Sequence, residues 1–105
     1  MKEKRTYHGD LMRDLKNPDT AIGYLNAARE DSDRRVFLIA LRDVVESWGG
    51  MSRFSRMSKI PRITLYKILS KKGNPAIETL EKILGAMGMR LRIEQARPRK
   101  LSRAA

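Results

Sequence analysis

The stretch MSRFSRMSKIPRITLYKILS, residues 51–70, predicts two short helices joined by a tight corner at Lys59-Ile60-Pro61. The stretch contains five basic residues and no acidic one. The basic residues are Arg53, Arg56, Lys59, Arg62 and Lys67. Apolar residues recur on the opposite side of each helix, so each helix has a face that can pack on a core. This combination is typical of a helix-turn-helix, whose second helix lies in the major groove of DNA.

The positive charge of the chain is confined to its second half. Residues 1–50 contain nine Lys/Arg and nine Asp/Glu, whereas residues 51–105 contain fourteen Lys/Arg and three Asp/Glu and carry the whole net charge of +11. Such an asymmetry favours a polyanionic partner, although a basic surface kept for solubility would give the same count. RNA or an anionic membrane is a weaker alternative to DNA, because Tyr66 is the only aromatic residue on the basic face and base stacking needs aromatic rings.

The composition fits a single domain, residues 1–96. A chain of 105 residues can bury one apolar core without disulfides or metal. The absence of cysteine excludes a disulfide framework, a thiolate zinc site and a cysteine nucleophile. No apolar run reaches the roughly 20 residues that span a bilayer, and no apolar stretch follows the basic N-terminus as in a secretory signal. We therefore expect a cytoplasmic protein with no membrane partner.

Helical periodicity surrounds the central pair and predicts an all-α fold with five helices. A weak stripe at residues 7–16 and a clearer one at residues 19–31 predict an N-terminal helical extension, residues 7–30. The helical core is predicted over residues 33–88. Its strongest helix follows the break at Asp31-Ser32-Asp33 and ends at Gly49-Gly50, since glycine readily takes the left-handed conformation beyond a helix end.

Two apolar stripes define the predicted inner faces of the core. The stripe of the central helix comprises Phe37, Ala40, Leu41, Val44 and Trp48, widened by Val36, Ile39 and Val45. The last helix, AIETLEKILGAMG, is predicted to bury Ile77, Leu80, Ile83, Leu84 and Met87. Both stripes follow the 3.6-residue period of a helix that packs on one side.

The sequence period changes to two at residues 89–94, where Met89, Leu91 and Ile93 alternate with polar residues. Alternation of this kind predicts one short C-terminal β-strand. A lone strand leaves its backbone groups without partners, and residues 5–8 are a weak match within the chain. Pairing with the same strand of a second subunit would give a two-fold homodimer. Residues 97–105 are predicted to form a disordered basic tail.

Four outward-facing residues are predicted to read DNA bases; they are Arg62, Ile63, Tyr66 and Lys67. At 100° per residue from residue 62, Leu65 and Ile68 point to the opposite, inner side. Arg62 can pair bidentately with guanine, and Ile63 can contact a thymine methyl group. Packing against a neighbouring helix is the alternative role for Ile63, and half-buried packing is the alternative for Tyr66.

A second set is predicted to contact phosphates, which positions a protein on DNA without reading its sequence. The set comprises Ser52, Arg53, Lys59, Thr64, Ser70, Lys71 and Lys72. Ser52 lies near the start of the first helix, where backbone N–H groups favour an anion.

With these residues in view, the chain resembles the addiction-module antidote family, small Cro/repressor-like (XRE) helix-turn-helix antitoxins. The resemblance covers most of the chain from Tyr7 to Ile93. It rests on four segments, DLKNPDTAIGYLNAA, FLIALRDVVESWGGMSRFSRMS, LYKILSKKGNP and TLEKILGAMGMRLRI. The sequence departs from the usual family pattern at the corner, where Ser55, Lys59 and Pro61 stand in place of Ala, Gly and Ser.

The resemblance implies two linked functions. One is repression of the protein's own operon through binding of a dimer to operator DNA. The other is neutralisation of a RelE/ParE-type toxin by direct contact, for which residues 18–48 of the neutral N-terminal half are the expected surface. A stand-alone prophage-type transcriptional regulator without a toxin partner is the alternative.

An enzymatic function has no support in the sequence. His8 is the only histidine, and no Ser/His/Asp set, metal-ligand spacing or phosphate-binding loop can be built around it. We therefore expect no catalytic residue, no metal, no cofactor and no small-molecule substrate.

Overall fold

A computed structural model describes residues 2–96, with side chains from Tyr7 onward. The predicted basic tail, residues 97–105, lies outside this range. The described chain contains six helices. They are α1 (Lys2–Asp14), α2 (Pro18–Arg29), α3 (Arg34–Glu46), α4 (Met51–Ser58), α5 (Arg62–Ile68) and α6 (Ile77–Ala86). The predicted count of five was one short, because the weak stripe at residues 7–16 belongs to a complete helix.

Helices α2 and α3 begin at side-chain caps. The Asn17 side-chain oxygen accepts a hydrogen bond from the backbone N–H of Thr20 at 3.1 Å, and Pro18 fills the first helical position of α2. The Asp33 carboxylate accepts from the backbone N–H of Arg35 at 2.9 Å at the start of α3. These caps satisfy N–H groups that no helical carbonyl can reach. The break predicted at residues 31–33 is thereby confirmed.

A single apolar core joins all six helices, with α3 at its centre. Leu41, Val44 and Val45 of α3 are fully buried, as are Phe54 of α4, Leu65 of α5 and Ile83 of α6. α3 packs on α1, α2 and α4, while α4 packs on α5 and α6. The central helix α3 therefore packs, through α4, against the inner side of the unit formed by residues 51–68.

Two apolar residues lie outside the core that their spacing predicted. Ile39 on α3 and Ile77 at the start of α6 are exposed, while Leu38 is buried instead. Both exceptions have a geometric cause. At 100° per residue, Ile39 lies on the side of α3 opposite to its buried residues, such as Leu41 and Val45. Ile77 is the first residue of α6, so no preceding turn of that helix covers it.

The predicted C-terminal β-strand was wrong. Residues 89–96 have no regular secondary structure, and the described part of the chain contains no strand. Residues 5–8, the only intramolecular candidate for pairing, lie inside α1, where their backbone groups serve the helix. Met89 closes α6 instead, because its N–H donates to the Leu84 carbonyl at 2.8 Å and Gly88 adopts φ 78°.

None of the described helices is long and apolar enough to cross a membrane.

Candidate nucleic-acid interface

The corner between α4 and α5 is closed by two serines. The Ser58 hydroxyl donates to the Phe54 carbonyl at 2.8 Å and accepts from the Ile60 N–H at 3.3 Å. The Ser55 hydroxyl donates to the Ile60 carbonyl at 2.6 Å. Because both backbone groups of Ile60 are satisfied in this way, the chain can turn sharply with that side chain buried.

Lys59 at this corner has a left-handed backbone, with φ 63° and ψ 25°. It is the only non-glycine residue with positive φ in the described chain. A side chain with a Cβ atom costs roughly 1–2 kcal/mol in this conformation. This is the position at which the usual family pattern has glycine, and the Lys59 side chain is exposed.

The inner faces of α4 and α5 are apolar and packed. Met51 and Phe54 are buried on α4, and Leu65 is buried on α5, with Leu69 just beyond its end. At the end of α4, Ser58 is buried and Met57 is exposed. All the cationic side chains of this unit therefore project from its outer side.

The N-terminal ends of α4 and α5 are joined by one polar contact. The Arg62 guanidinium donates from Nη1 to the Ser52 hydroxyl at 2.7 Å. Both side chains are exposed, so the guanidinium is directed without being buried. Ser52, predicted to contact a phosphate, lies against a predicted base-reading residue.

Ile63 is the most exposed large apolar residue of α5, at 82 % of its full accessible surface. That exposure excludes the alternative in which Ile63 packs on a neighbouring helix. Thr64 and Lys67 on the same outer side are also exposed. An isolated apolar side chain among polar and cationic ones can contact a thymine methyl group, which no polar side chain does as well.

Tyr66 is held by a residue that the sequence did not indicate. Its ring lies under the guanidinium of Arg42 on α3, 5.2 Å from the guanidinium carbon to the ring centroid. Arg42 in turn donates from Nε to Glu46 at 3.4 Å. Tyr66 is 42 % exposed, so it packs on α3 and still reaches the outer surface; its predicted base-reading role stays a prediction.

The predicted phosphate-contacting residues are mostly exposed on the outer side. Exposed members are Ser52, Arg53, Lys59, Thr64, Lys71 and Lys72. Ser70 differs, because it is half-buried and its hydroxyl donates to the Lys67 carbonyl at 2.9 Å. The hydroxyl hydrogen of Ser70 is therefore already bonded to a backbone carbonyl of the protein.

The loop that carries Lys71 and Lys72 turns tightly at Gly73. A Cβ atom at Gly73 would lie 2.0 Å from the Ile68 carbonyl oxygen, so only glycine fits this close backbone approach. Its N–H donates to the Ser70 carbonyl at 2.9 Å. This turn places Lys71 and Lys72 directly after the C-terminal end of α5.

A cleft of about 330 Å³ opens where the α1–α2 turn meets the start of α4. It is lined by Lys16, Ser47, Trp48, Gly49 and Arg53. The aliphatic stem of Arg53 lies across Gly49, where a Cβ atom would approach it to 2.7 Å. Two cations and no carboxylate line this cleft, so its local charge is positive.

Two acidic groups outside this cleft form hydrogen bonds that shift a pKa. The Arg35 guanidinium and backbone N–H donate to Asp33 and lower the pKa of that carboxyl to about 2. Partial burial, together with a 2.7 Å hydrogen bond to Asp43, raises the pKa of Tyr24 to about 12. Among the described residues, no group of His, Asp or Glu side chains could hold a metal ion.

The geometry thus defines a small helical protein with a cationic two-helix surface mounted on a charge-neutral helical support. A family model described as "Probable addiction module antidote protein" matches residues 5–95. An uncharacterised protein of Haemophilus influenzae is 31 % identical over 88 residues, which is 84 % of this chain and 90 % of that protein. No solved structure matches the chain significantly.

The chain belongs to the addiction module antidote family. This membership implies an antitoxin role in an addiction module, and with it a cognate toxin as partner.

Proposed function

We propose that this antitoxin is a dimeric, sequence-specific DNA-binding repressor of its own operon that also neutralises a RelE/ParE-type toxin. In this proposal, residues 51–72 form a Cro/repressor-like helix-turn-helix with α5 in the major groove. The observation that carries it is Ile63, which is almost fully exposed beside Arg62 on a surface without acidic residues. On a surface without carboxylates, an exposed apolar side chain beside an arginine fits a base edge that carries a thymine methyl group.

Base reading is assigned to Arg62, Ile63, Tyr66 and Lys67, all exposed on the outer side of α5. Arg62 is directed by Ser52, so its fork-shaped guanidinium is oriented before it meets guanine. Phosphate contact is assigned to the exposed members of the predicted set. Four of these are cations: Arg53, Lys59, Lys71 and Lys72. Each neutralised phosphate lowers the salt exponent by about 0.9, so these cations give a slope of roughly −3 to −4 per protomer.

Dimerisation is proposed through residues 90–96, without a β-strand. Ile93 is 96 % exposed and Leu91 is also exposed, so both apolar side chains are open to a second copy of the chain. A two-fold dimer matches the symmetry of a palindromic operator. It would place its two α5 helices about 34–36 Å apart, one turn of DNA.

Toxin binding is assigned to residues 18–48 of the neutral N-terminal half. Ile22 on α2 and Ile39 on α3 are the exposed large apolar residues of that segment. The family membership requires a protein partner, and exposed aliphatic side chains are typical contacts for one. The antidote then acts by occupying the toxin's surface, with no catalytic step.

The repressor activity is tested by selecting duplexes from a random DNA library with the purified full-length protein. The proposal predicts enrichment of one palindromic sequence that also occurs upstream of the protein's own gene. Recovery of unrelated sequences, or of none, would contradict it.

The antitoxin activity is tested by co-expression with the product of the neighbouring open reading frame. Growth rescue by the wild-type chain, and loss of rescue in Ile22→Glu/Ile39→Glu with DNA binding retained, is the expected result. If the neighbouring product is harmless, the toxin partner is not encoded there and the stand-alone regulator is favoured.

A further inference from the structure

Arg42 lies in the charge-neutral half of the chain, yet its side chain reaches the DNA-facing helix. It starts from the middle of α3 and covers the Tyr66 ring of α5 at 5.2 Å. A cation at this distance over an aromatic face is held there by the ring quadrupole. Glu46, one helical turn further along α3, accepts from Arg42 Nε and fixes the guanidinium from behind.

We propose that Arg42 is a positioning residue for Tyr66 and an additional phosphate-contacting residue of the DNA interface. This inference rests on the proposed function, since it assigns a role at the same protein–DNA contact. It extends that function to α3, which lies outside the predicted helix-turn-helix.

The positioning role follows from which ring face remains open. Arg42 covers one face of Tyr66, and the residue is 42 % exposed. An exposed tyrosine without this cover would change rotamer freely and lose that freedom on binding DNA. With the guanidinium in place, the ring is already ordered, and its hydroxyl and free face point in a defined direction. Arg42 therefore acts through Tyr66 on base discrimination.

The phosphate contact follows from the donors of Arg42. A guanidinium has five N–H donors, and the hydrogen bond within the described chain uses only the one on Nε. The Arg42 side chain is 40 % exposed, which leaves its terminal nitrogens accessible beside the cationic surface. Their planar fork matches two phosphate oxygens.

The test compares five full-length variants by fluorescence anisotropy on the selected duplex and on a scrambled one, at several salt concentrations. They are Arg42→Ala, Arg42→Lys, Tyr66→Ala, the double variant Arg42→Ala/Tyr66→Ala, and Arg29→Ala. Arg29 provides the matched control, because it covers the Phe37 ring at 5.6 Å within the N-terminal half. Arg42→Lys keeps the charge and the aliphatic stem, so it reports on positioning even if Arg42→Ala folds poorly.

Arg42→Ala is expected to bind the selected duplex about tenfold more weakly and to lower the salt exponent by about one. Arg42→Lys should keep the salt exponent of the wild type but lose part of the preference for the selected duplex. The double variant should discriminate no worse than Tyr66→Ala alone, because both changes remove the same oriented ring. Arg29→Ala should match the wild type.

Three results would overturn the inference. If Arg42→Ala binds both duplexes like Arg29→Ala while the wild type prefers the selected duplex, Arg42 has no role at the interface and the proposed function stands. If Arg42→Lys restores full discrimination, the positioning role is wrong. If the wild type binds both duplexes equally, the proposed function itself fails, and that failure is visible before any variant is examined.

Discussion

The two halves of this protein use charge in opposite ways. In α1–α3 several charged side chains form ion pairs: Asp33 holds Arg35 at 2.8 Å, and Glu46 holds Arg42 at 3.4 Å. In residues 51–72 the side-chain hydrogen bonds involve serines and the backbone, and no carboxylate is present. Seven cations without a carboxylate among them favour a polyanionic partner, whereas a half with balanced charge does not.

The largest expected effect comes from removing the apolar support of the cationic surface. Phe54→Ala replaces a fully buried ring under α4 and should cost about 3–5 kcal/mol of the free energy of unfolding. Ile63→Ala, on the exposed side of α5, should leave that free energy nearly unchanged and reduce only DNA discrimination. Urea unfolding of both variants checks the pair. Equal losses of stability would show that Ile63 belongs to the core.

The second-largest effect is a loss of DNA binding, which should distinguish a cation of residues 51–72 from a cation of the N-terminal half. Arg62→Ala should cost about 1–3 kcal/mol of binding to the selected duplex and relax the preference at one base pair. Arg35→Ala removes an equally charged residue, but one whose partner is Asp33 on the neutral half, and should leave binding unchanged. Mobility-shift titrations of the two variants make the comparison. Unchanged binding by Arg62→Ala would mean that α5 is not the reading helix.

A smaller effect concerns the bond between α2 and α3. Tyr24→Phe removes the hydrogen bond to Asp43 and should cost about 1 kcal/mol of stability. Because the folded pKa of Tyr24 is raised to about 12, its contribution is complete below about pH 10 and is lost as pH rises towards 12. Thermal melts across this range should show a weaker alkaline decline in Tyr24→Phe. DNA binding at neutral pH should not change, since the bond lies in the other half.

The smallest effect has the opposite sign. Lys59→Gly relieves the left-handed backbone at the corner and should raise the free energy of unfolding by about 0.5–1 kcal/mol, after the greater freedom of glycine in the unfolded chain is subtracted. The same change removes a phosphate-contacting cation, so the salt exponent of DNA binding should fall by about 0.9. Greater stability with weaker DNA binding is the outcome to look for. A loss of stability would indicate that the lysine side chain makes a contact that offsets the strain.

The helical fold and most of the outer surface could be predicted from the sequence because both depend on local periodicity. The spacing of Leu65 and Ile68 placed the inner face of α5, and the same spacing placed Arg62 and Ile63 outside. Local periodicity could not decide whether residues 89–94 form a β-strand. Alternation of Met89, Leu91 and Ile93 is equally compatible with an extended segment that follows a glycine-capped helix.

Contacts between side chains far apart in sequence were also beyond prediction. Arg42 and Tyr66 are separated by 24 positions, and neither periodicity nor charge pairs them. The Ser52–Arg62 bond depends on the angle between α4 and α5, which the sequence does not give. Ser70 shows the reverse case, since a hydroxyl that is well placed on the surface bonds its own helix instead.

The division of labour between the two halves can be measured directly by NMR. The ¹⁵N-labelled full-length protein is titrated with the selected duplex, and backbone amide shifts are mapped along the chain. We predict that the largest changes fall in residues 49–73, with a separate change at Arg42, and that residues 18–30 of α2 stay unperturbed. Changes centred on residues 18–30, with residues 62–67 unaffected, would contradict the assignment of the cationic surface as the DNA-binding half.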